Sequence, residues 1–313
     1  MALVSREKEY NVLVGWPDRN EEAFLRGKPE LKSLILDATS FDEDDLLHLT
    51  LEIFLEVGVH EKLGIPTDKM KRFILGVRDR MLDNPYHNWT HVFDVMQTVY
   101  SLATMCRAFD KLSDIQTFAL IVSALCHDLE HPGVNNLFLI KSRSSLATLY
   151  NETSILEKHH AFRAFELMFH ANTDLLSSFT PEQYADFREI MMSIILATDM
   201  ARHGDYMARL KQILAENEGK EGQIEVDELF LMEIIIKCAD TANVLKPFEV
   251  AKKWALRVTD EFFLQGDMER ASGMEVTPIC DRTSQSRVAV QKGFIDFVIT
   301  PFYTLVGNLL PDL

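Results

Sequence analysis

Apolar side chains in this chain recur at intervals of three and four residues and almost nowhere alternate. That spacing constrains the fold more than any other feature. Amphipathic helices must bury their stripes against one another, so the expected class is all-α, a compact multi-helix bundle. Ser113 stands as an N-cap before Asp114, with Ile115, Phe118, Ala119, Val122 and Leu125 following at helical spacing. Ser154 and Glu157 read as an S-x-x-E capping box ahead of residues 155–169. Pro181 and Glu182 open a helix expected to reach about Thr198. Further helices are predicted over 226–239, 248–265 and 286–308, the last broken or kinked at Pro301. Thr277-Pro278 reads as an irregular loop, and 216–222 as a polar surface loop between helices of one body. There is no internal repeat, so residues 1–313 are read as a single domain.

The charge balance narrows the function. With 32 Lys and Arg against 48 Asp and Glu, the net charge is −16, which argues against nucleic acid as the main partner. A phosphate-bearing substrate would need some other source of positive charge, and a bound metal is the obvious one. The hydrophobic share of 47% is ample for a core without disulfides. Cys106, Cys126, Cys238 and Cys280 form no CxxC motif, and Cys126 and Cys238 end apolar runs as buried small hydrophobes would. That usage fits a reducing compartment. No apolar run approaches the roughly 18 residues that cross a membrane. The first eight residues lack the apolar core of a signal peptide. A soluble cytoplasmic protein is expected.

The histidines carry the chemistry. Six of the ten fall between His87 and His160. His87 and His91 are four apart and would share a helix face, a weak signal alone. His127-Asp128 closes an apolar helix, where burial is costly unless the charges are paired or bind metal. Pro132-Gly133 then turns the chain and would hold that doublet toward a cleft. Asp240 closes a second apolar helix, against the preference of a helix C-terminus for cations. His91, His127, Asp128 and Asp240 together offer two imidazoles and two carboxylates, a set that suits zinc. A second ion held mostly by carboxylate and water would be magnesium or manganese, with Asp128 bridging both.

The run Tyr86-His87-Asn88-x-x-His91, then His127-Asp128-x-x-His131-Pro132-Gly133-x-Asn135-Asn136, resembles the class I cyclic-nucleotide phosphodiesterases. Leu149-Tyr150-Asn151-x-x-Ser154-x-Leu156-Glu157-x-His159-His160, Leu196 to Met200, Phe262-Phe263-x-Gln265-Gly266-Asp267 and Gly293 to Asp296 continue the match in order. The texture is most like the trypanosomatid parasite enzymes, and among them the C-type. The departures are Glu130 where Asp is usual and Val92 where Ala is common. The chain also stops at Leu313, where the family often has one more helix, so it reads as an excised catalytic domain.

The resemblance implies a compact body of about sixteen helices in three subdomains. It implies hydrolysis of a 3′,5′-cyclic nucleotide to a 5′-monophosphate by a hydroxide shared between two metal ions, which ends cyclic-nucleotide signalling. His87 matches the general acid that protonates O3′. Glu261 is the candidate to orient it, or else a surface residue of its helix. His131, Glu157 and Thr198 match positions that hold metal-bound waters, although local capping alone would explain Glu157. One of His159 and His160 is expected to support the site and the other to pack. Phe294 and Val258, with Phe262 one turn on, are implied to clamp the base, with Gln291 bonding its edge and Asn243 facing it. The Asn favours cAMP, while dual use of cAMP and cGMP stays open because an amide presents either donor or acceptor. The partner is then a small cyclic nucleotide, and the chain a monomer or weak homodimer. Rival readings are another HD-type phosphohydrolase, which would not need Gln291 and Phe294, and a non-hydrolytic sensor, which would have lost a ligand or His87.

Overall fold

The computed structural model describes residues 16–17, 29–219 and 224–311. The first eight residues and 220–222 lie outside them. Fourteen α-helices are found among the described residues, against the roughly sixteen implied, and no strand. They are α1 (Glu43–Val57), α2 (Val59–Lys62), α3 (Thr67–Arg78), α4 (Trp89–Met105), α5 (Asp114–Cys126), α6 (Asn136–Lys141) and α7 (Ser145–Leu149). Then follow α8 (Ile155–Phe169), α9 (Pro181–Ala197), α10 (His203–Glu216), α11 (Glu228–Thr241), α12 (Phe248–Ala271), α13 (Arg287–Phe294) and α14 (Thr300–Leu309).

Four of these form a closed ring at the centre: α4 packs on α5, α5 on α9, α9 on α11, and α11 back on α4. Residues 117–126 of α5 are all buried, as expected of a helix that is apolar all round. Caps set where the helices begin. Ser113 and Gln116 form a reciprocal capping box on α5, as do Thr180 and Gln183 on α9, where Pro181 takes the first turn. Asn88 caps α4 through the His91 amide, and Asp227 caps α11 through Phe230. One main apolar core runs from Leu31 to Leu310, and a small second cluster lies beneath α6, α7 and the start of α8. No helix among the described residues is long and apolar enough to cross a membrane.

Several local expectations are corrected. Ser154 stands at the N-cap position of α8 but forms no capping box: it sits at φ +43° with no side-chain capping bond, and its Oγ donates instead to Asp199 Oδ2 at 2.7 Å. Asn136 takes over, its Oδ1 accepting from the Leu156 amide while its Nδ2 donates to Glu157. An S-x-x-E spacing carries no information about the competing Asp199, which lies in the turn after α9. α12 runs on past Gln265 to Ala271, because Gln265, Gly266 and Glu269 are buried. Gly266 permits this: a Cβ there would lie 2.0 Å from the Cys280 carbonyl oxygen. At Pro301 the chain stays helical. Residues 295–299 widen to a π turn just before Pro301, whose ring has no N–H to give the preceding turn, so the regular ladder is interrupted without ending the helix. Pro278 opens a short 3₁₀ turn inside the expected loop.

Candidate metal centre

Three chain segments converge where α4 begins and α5 and α11 end. His91 lies in the first turn of α4, His127 caps the C-terminus of α5 with Asp128 next, and Asp240 occupies the last turn of α11. His87 is not on the helix with His91, as the i, i+4 spacing implied. It lies in the turn before α4, since Asn88 is the cap. The two rings nevertheless meet edge to face, their centroids 5.5 Å apart.

The four candidate ligands form one tight cluster. His91 Nε2 lies 3.2 Å from Asp128 Oδ2 and 3.4 Å from Asp240 Oδ1. His127 Nε2 lies 3.2 and 3.3 Å from the same two oxygens. Both histidines are essentially fully buried. His127 Nδ1 donates to the Ala124 carbonyl at 2.9 Å, which in the neutral ring puts the lone pair on Nε2. Neither Nε2 has a hydrogen-bond partner, although each is sealed from solvent. Two orphaned imidazole nitrogens facing two carboxylates are a donor set that a divalent cation fits. Charge tells the same story. Burial opposes a proton on His127, but Asp128 and Asp240 outweigh it and raise its pKa. Burial would raise Asp240, yet the adjacent His127 and His91 imidazoles hold it well below the usual carboxylate range.

Beside the cluster stands a second pair. Glu261, on the buried face of α12, bonds His87 Nδ1 and accepts from the backbone amides of Tyr86 and His87 at 2.9 and 3.0 Å. The His87 Nε2 side is thereby turned inward, 3.9 Å from Asp128 Oδ2. Burial disfavours the charged ring, but Glu261 and then Asp128 raise its pKa to about 9. Glu261 is pulled down to about 2, with burial opposing and His87 the largest lowering influence. His131 stacks on His87 with centroids 3.8 Å apart, and its Nδ1 accepts from the Gly133 amide.

The cleft over the cluster is lined by His87, Asp128, His131, Glu157, His160, Thr198, Asp240, Glu261 and Phe262, with Glu152, Ser154 and Asp199 on one wall. Glu157 is pushed up to about 7, first by burial and then by Asp199. Of the two neighbouring histidines, His160 turns inward, its Nδ1 donating to Leu129 O and its Nε2 3.6 Å from Asp128 Oδ1. His159 turns away to Glu130 at 3.3 Å. The remaining expected base contacts are not among the lining. Val258 packs on the core, and Asn243 is buried with its Nδ2 donating to Tyr86 Oη. Gln291 and Phe294 are half-buried on α13, which packs along α12. Arg287 fastens the two helices, bonding Thr259 Oγ1 at 2.7 Å and pairing with Asp260. Sequence reasoning gave no role to Asn84, Asn136, Asp199 or Gln265. Asn136, Asp199 and Gln265 stand inside the quoted motifs; the signal for Asn84 is only its place just before them.

An all-helical body with a two-histidine, two-carboxylate cluster at the floor of an acidic cleft defines a candidate metal-dependent hydrolase. Residues 86–313 match the family model of the 3′5′-cyclic nucleotide phosphodiesterases, and the chain belongs to that family. It is 35% identical over 286 residues to the 3′,5′-cyclic-nucleotide phosphodiesterase regA of Dictyostelium discoideum, covering 91% of this chain and 36% of that one. It is 34% identical over 281 residues to the mouse high affinity cGMP-specific 3′,5′-cyclic phosphodiesterase 9A, covering 90% and 52%. The chain therefore spans about half or less of these relatives. Among solved structures, the phosphodiesterase domain of the Salpingoeca rosetta RhoPDE fusion protein superposes with TM-score 0.85 at 29% identity, covering 94% of this chain and 92% of that one. LmjPDEB1 of Leishmania, solved in complex with IBMX, gives 0.84 at 33% identity, covering 93% and 91%, in line with the trypanosomatid resemblance.

Proposed function

We propose that residues 1–313 act as one catalytic domain that hydrolyses 3′,5′-cyclic nucleotides to 5′-monophosphates. The observation that carries this reading is the pairing of two buried, partnerless imidazole nitrogens with Asp128 and Asp240 directly beside a carboxylate-held His87. His91, His127, Asp128 and Asp240 would hold zinc tightly, and Asp128 would share a second ion, magnesium or manganese, with waters held by His131, Glu157 and Thr198. When bound, the ions polarise the phosphate and lower the pKa of water.

The chain's own residues supply the rest. Glu261 fixes the His87 ring through Nδ1, so its Nε2–H can pass to O3′ as the P–O3′ bond breaks. The raised His87 pKa keeps that proton on the ring at neutral pH. Val258, Phe262 and Phe294 would stack on the base and Gln291 bond its edge. Asn243 donates to Tyr86 and so keeps its own carbonyl free as an acceptor, which suits the adenine amino group and favours cAMP. Relatives named for cGMP in mouse and, as a probable enzyme, for cAMP in Caenorhabditis elegans leave dual use open. We read the chain as cytoplasmic and as a monomer or weak homodimer.

Product analysis tests the reading. The purified domain, given magnesium and either nucleotide, should release 5′-AMP or 5′-GMP and stop on addition of chelator. Binding of both nucleotides without product would refute hydrolysis in favour of a sensor. Absence of binding would point to another phosphohydrolase substrate.

A further inference from the structure

We infer that Asn84 is a positioning residue that locks the proton donor His87 onto His131. The inference rests on the hydrolytic reading above. The side-chain amide of Asn84 reaches two separate loops at once. Its Nδ2 donates to the His87 carbonyl at 2.9 Å and to the His131 carbonyl at 2.7 Å. One loop precedes α4; the other follows α5 and carries Asp128. The amide has only two N–H bonds, and both are spent on this bridge. Asn84 is itself held in turn, its backbone carbonyl accepting from Asn88 Nδ2 at 2.8 Å, and Asn88 is the cap of α4.

The bridge explains two neighbouring features. The imidazoles of His87 and His131 stack at 3.8 Å with an interplanar angle of 18°, an arrangement that the bridge between their two carbonyls supports. Gly133 adopts φ +74°, and a Cβ there would lie 2.7 Å from Asn84 Oδ1, so the glycine clears room for the amide as well as turning the chain. Glu261 fixes the rotation of the His87 ring, and Asn84 fixes where the His87 backbone sits relative to the Asp128 loop. Both constraints are needed to aim Nε2–H at a leaving oxygen, because a displacement of about 1 Å can cost roughly a hundredfold in rate.

The test is a double-mutant cycle on cyclic-nucleotide hydrolysis, with kcat and KM measured separately. Asn84→Ala should lower kcat roughly 10- to 100-fold with KM within about twofold and bound zinc unchanged. In a His87→Ala background the same substitution should change kcat less than about twofold, because the group it positions is gone. An equal loss in both backgrounds, or no loss in the first, overturns the inference. Should Asn84→Ala fail to fold, Gly133→Ala disturbs the same bridge from the opposite side and must show the same dependence on His87. If the unaltered enzyme hydrolyses neither cAMP nor cGMP, the hydrolytic reading has failed and the inference that rests on it falls with it, an outcome distinct from an active enzyme indifferent to Asn84→Ala.

Discussion

Removing the charge of Glu261 should destabilise the metal-free protein in a pH-dependent way. Glu261 raises the His87 pKa more than any other group, with burial opposing and Asp128 and Asp240 adding, and the net rise is from 6.5 to about 9. At ~1.36 kcal/mol per pH unit, that displacement is worth about 3 kcal/mol. Because the folded pKa is raised, the contribution is complete below pH 6.5 and disappears as pH rises through about 9. Glu261 itself, lowered from 4.5 to about 2, remains ionised throughout this window. Glu261→Gln should therefore lose about 1–3 kcal/mol more at pH 6 than at pH 9.5. A pH-independent loss of about 1–2 kcal/mol should remain from the weakened bonds to the Tyr86 and His87 amides. Urea unfolding of both proteins in excess chelator at the two pH values measures the difference. Equal losses at pH 6 and 9.5 would refute the ion pair, and a larger loss at pH 9.5 would reverse its sign.

Four further outcomes are expected. Asp240→Ala should lose the tightly bound metal and nearly all hydrolysis while keeping its helical circular dichroism; metal analysis on the folded variant checks this. Gln291→Ala should weaken cyclic-nucleotide binding much more than it slows a generic phosphodiester, and parallel effects would remove it from the base pocket. Gly266→Ala should cost more than about 2 kcal/mol in urea unfolding, since its Cβ would collide with the backbone oxygen of Cys280 at 2.0 Å. Lys246→Met should cost about 3–5 kcal/mol by stranding buried Asp94, and adding Asp94→Leu should recover much of that loss.

The helices were legible because their boundaries obey local rules. Ser113 with Gln116 and Thr180 with Pro181 and Gln183 decide their own caps within four residues. Ser154 was misread because Asp199, 45 positions away, competes for its hydroxyl, and no local pattern reports that. The clustering of His91, His127, Asp128 and Asp240 was legible for a different reason. A His-Asp doublet and a lone Asp at the ends of apolar helices are expensive to bury, so their presence alone asks for a partner. Distances, by contrast, were not legible. Spacing put His87 and His91 on one helix face, whereas the structure joins them across a cap and assigns the orientation of His87 to Glu261, 174 positions on. Asn84 escaped notice because a neutral amide that bonds two backbone carbonyls has no signature of spacing, charge or hydrophobicity.

The cleft contains an electrostatic argument of its own. Among the described residues its lining includes Asp128, Glu152, Glu157, Asp199, Asp240 and Glu261, and neither Lys nor Arg. A phosphodiester approaching such a surface is repelled, and the chain's charge of −16 does nothing to relieve this. The crowding of carboxylates shows in Glu157, which burial and, after it, Asp199 push up to about 7. Many proteins meet an anionic ligand with arginines; on the proposed reading that task would fall here to cations gathered by the carboxylates themselves. Substrate affinity and metal affinity are then one property rather than two. Chelation should abolish nucleotide binding together with turnover, and equilibrium dialysis against labelled cyclic nucleotide, with and without chelator, measures this. Undiminished binding to the chelated protein would mean that the phosphate is recognised by side chains outside this cleft.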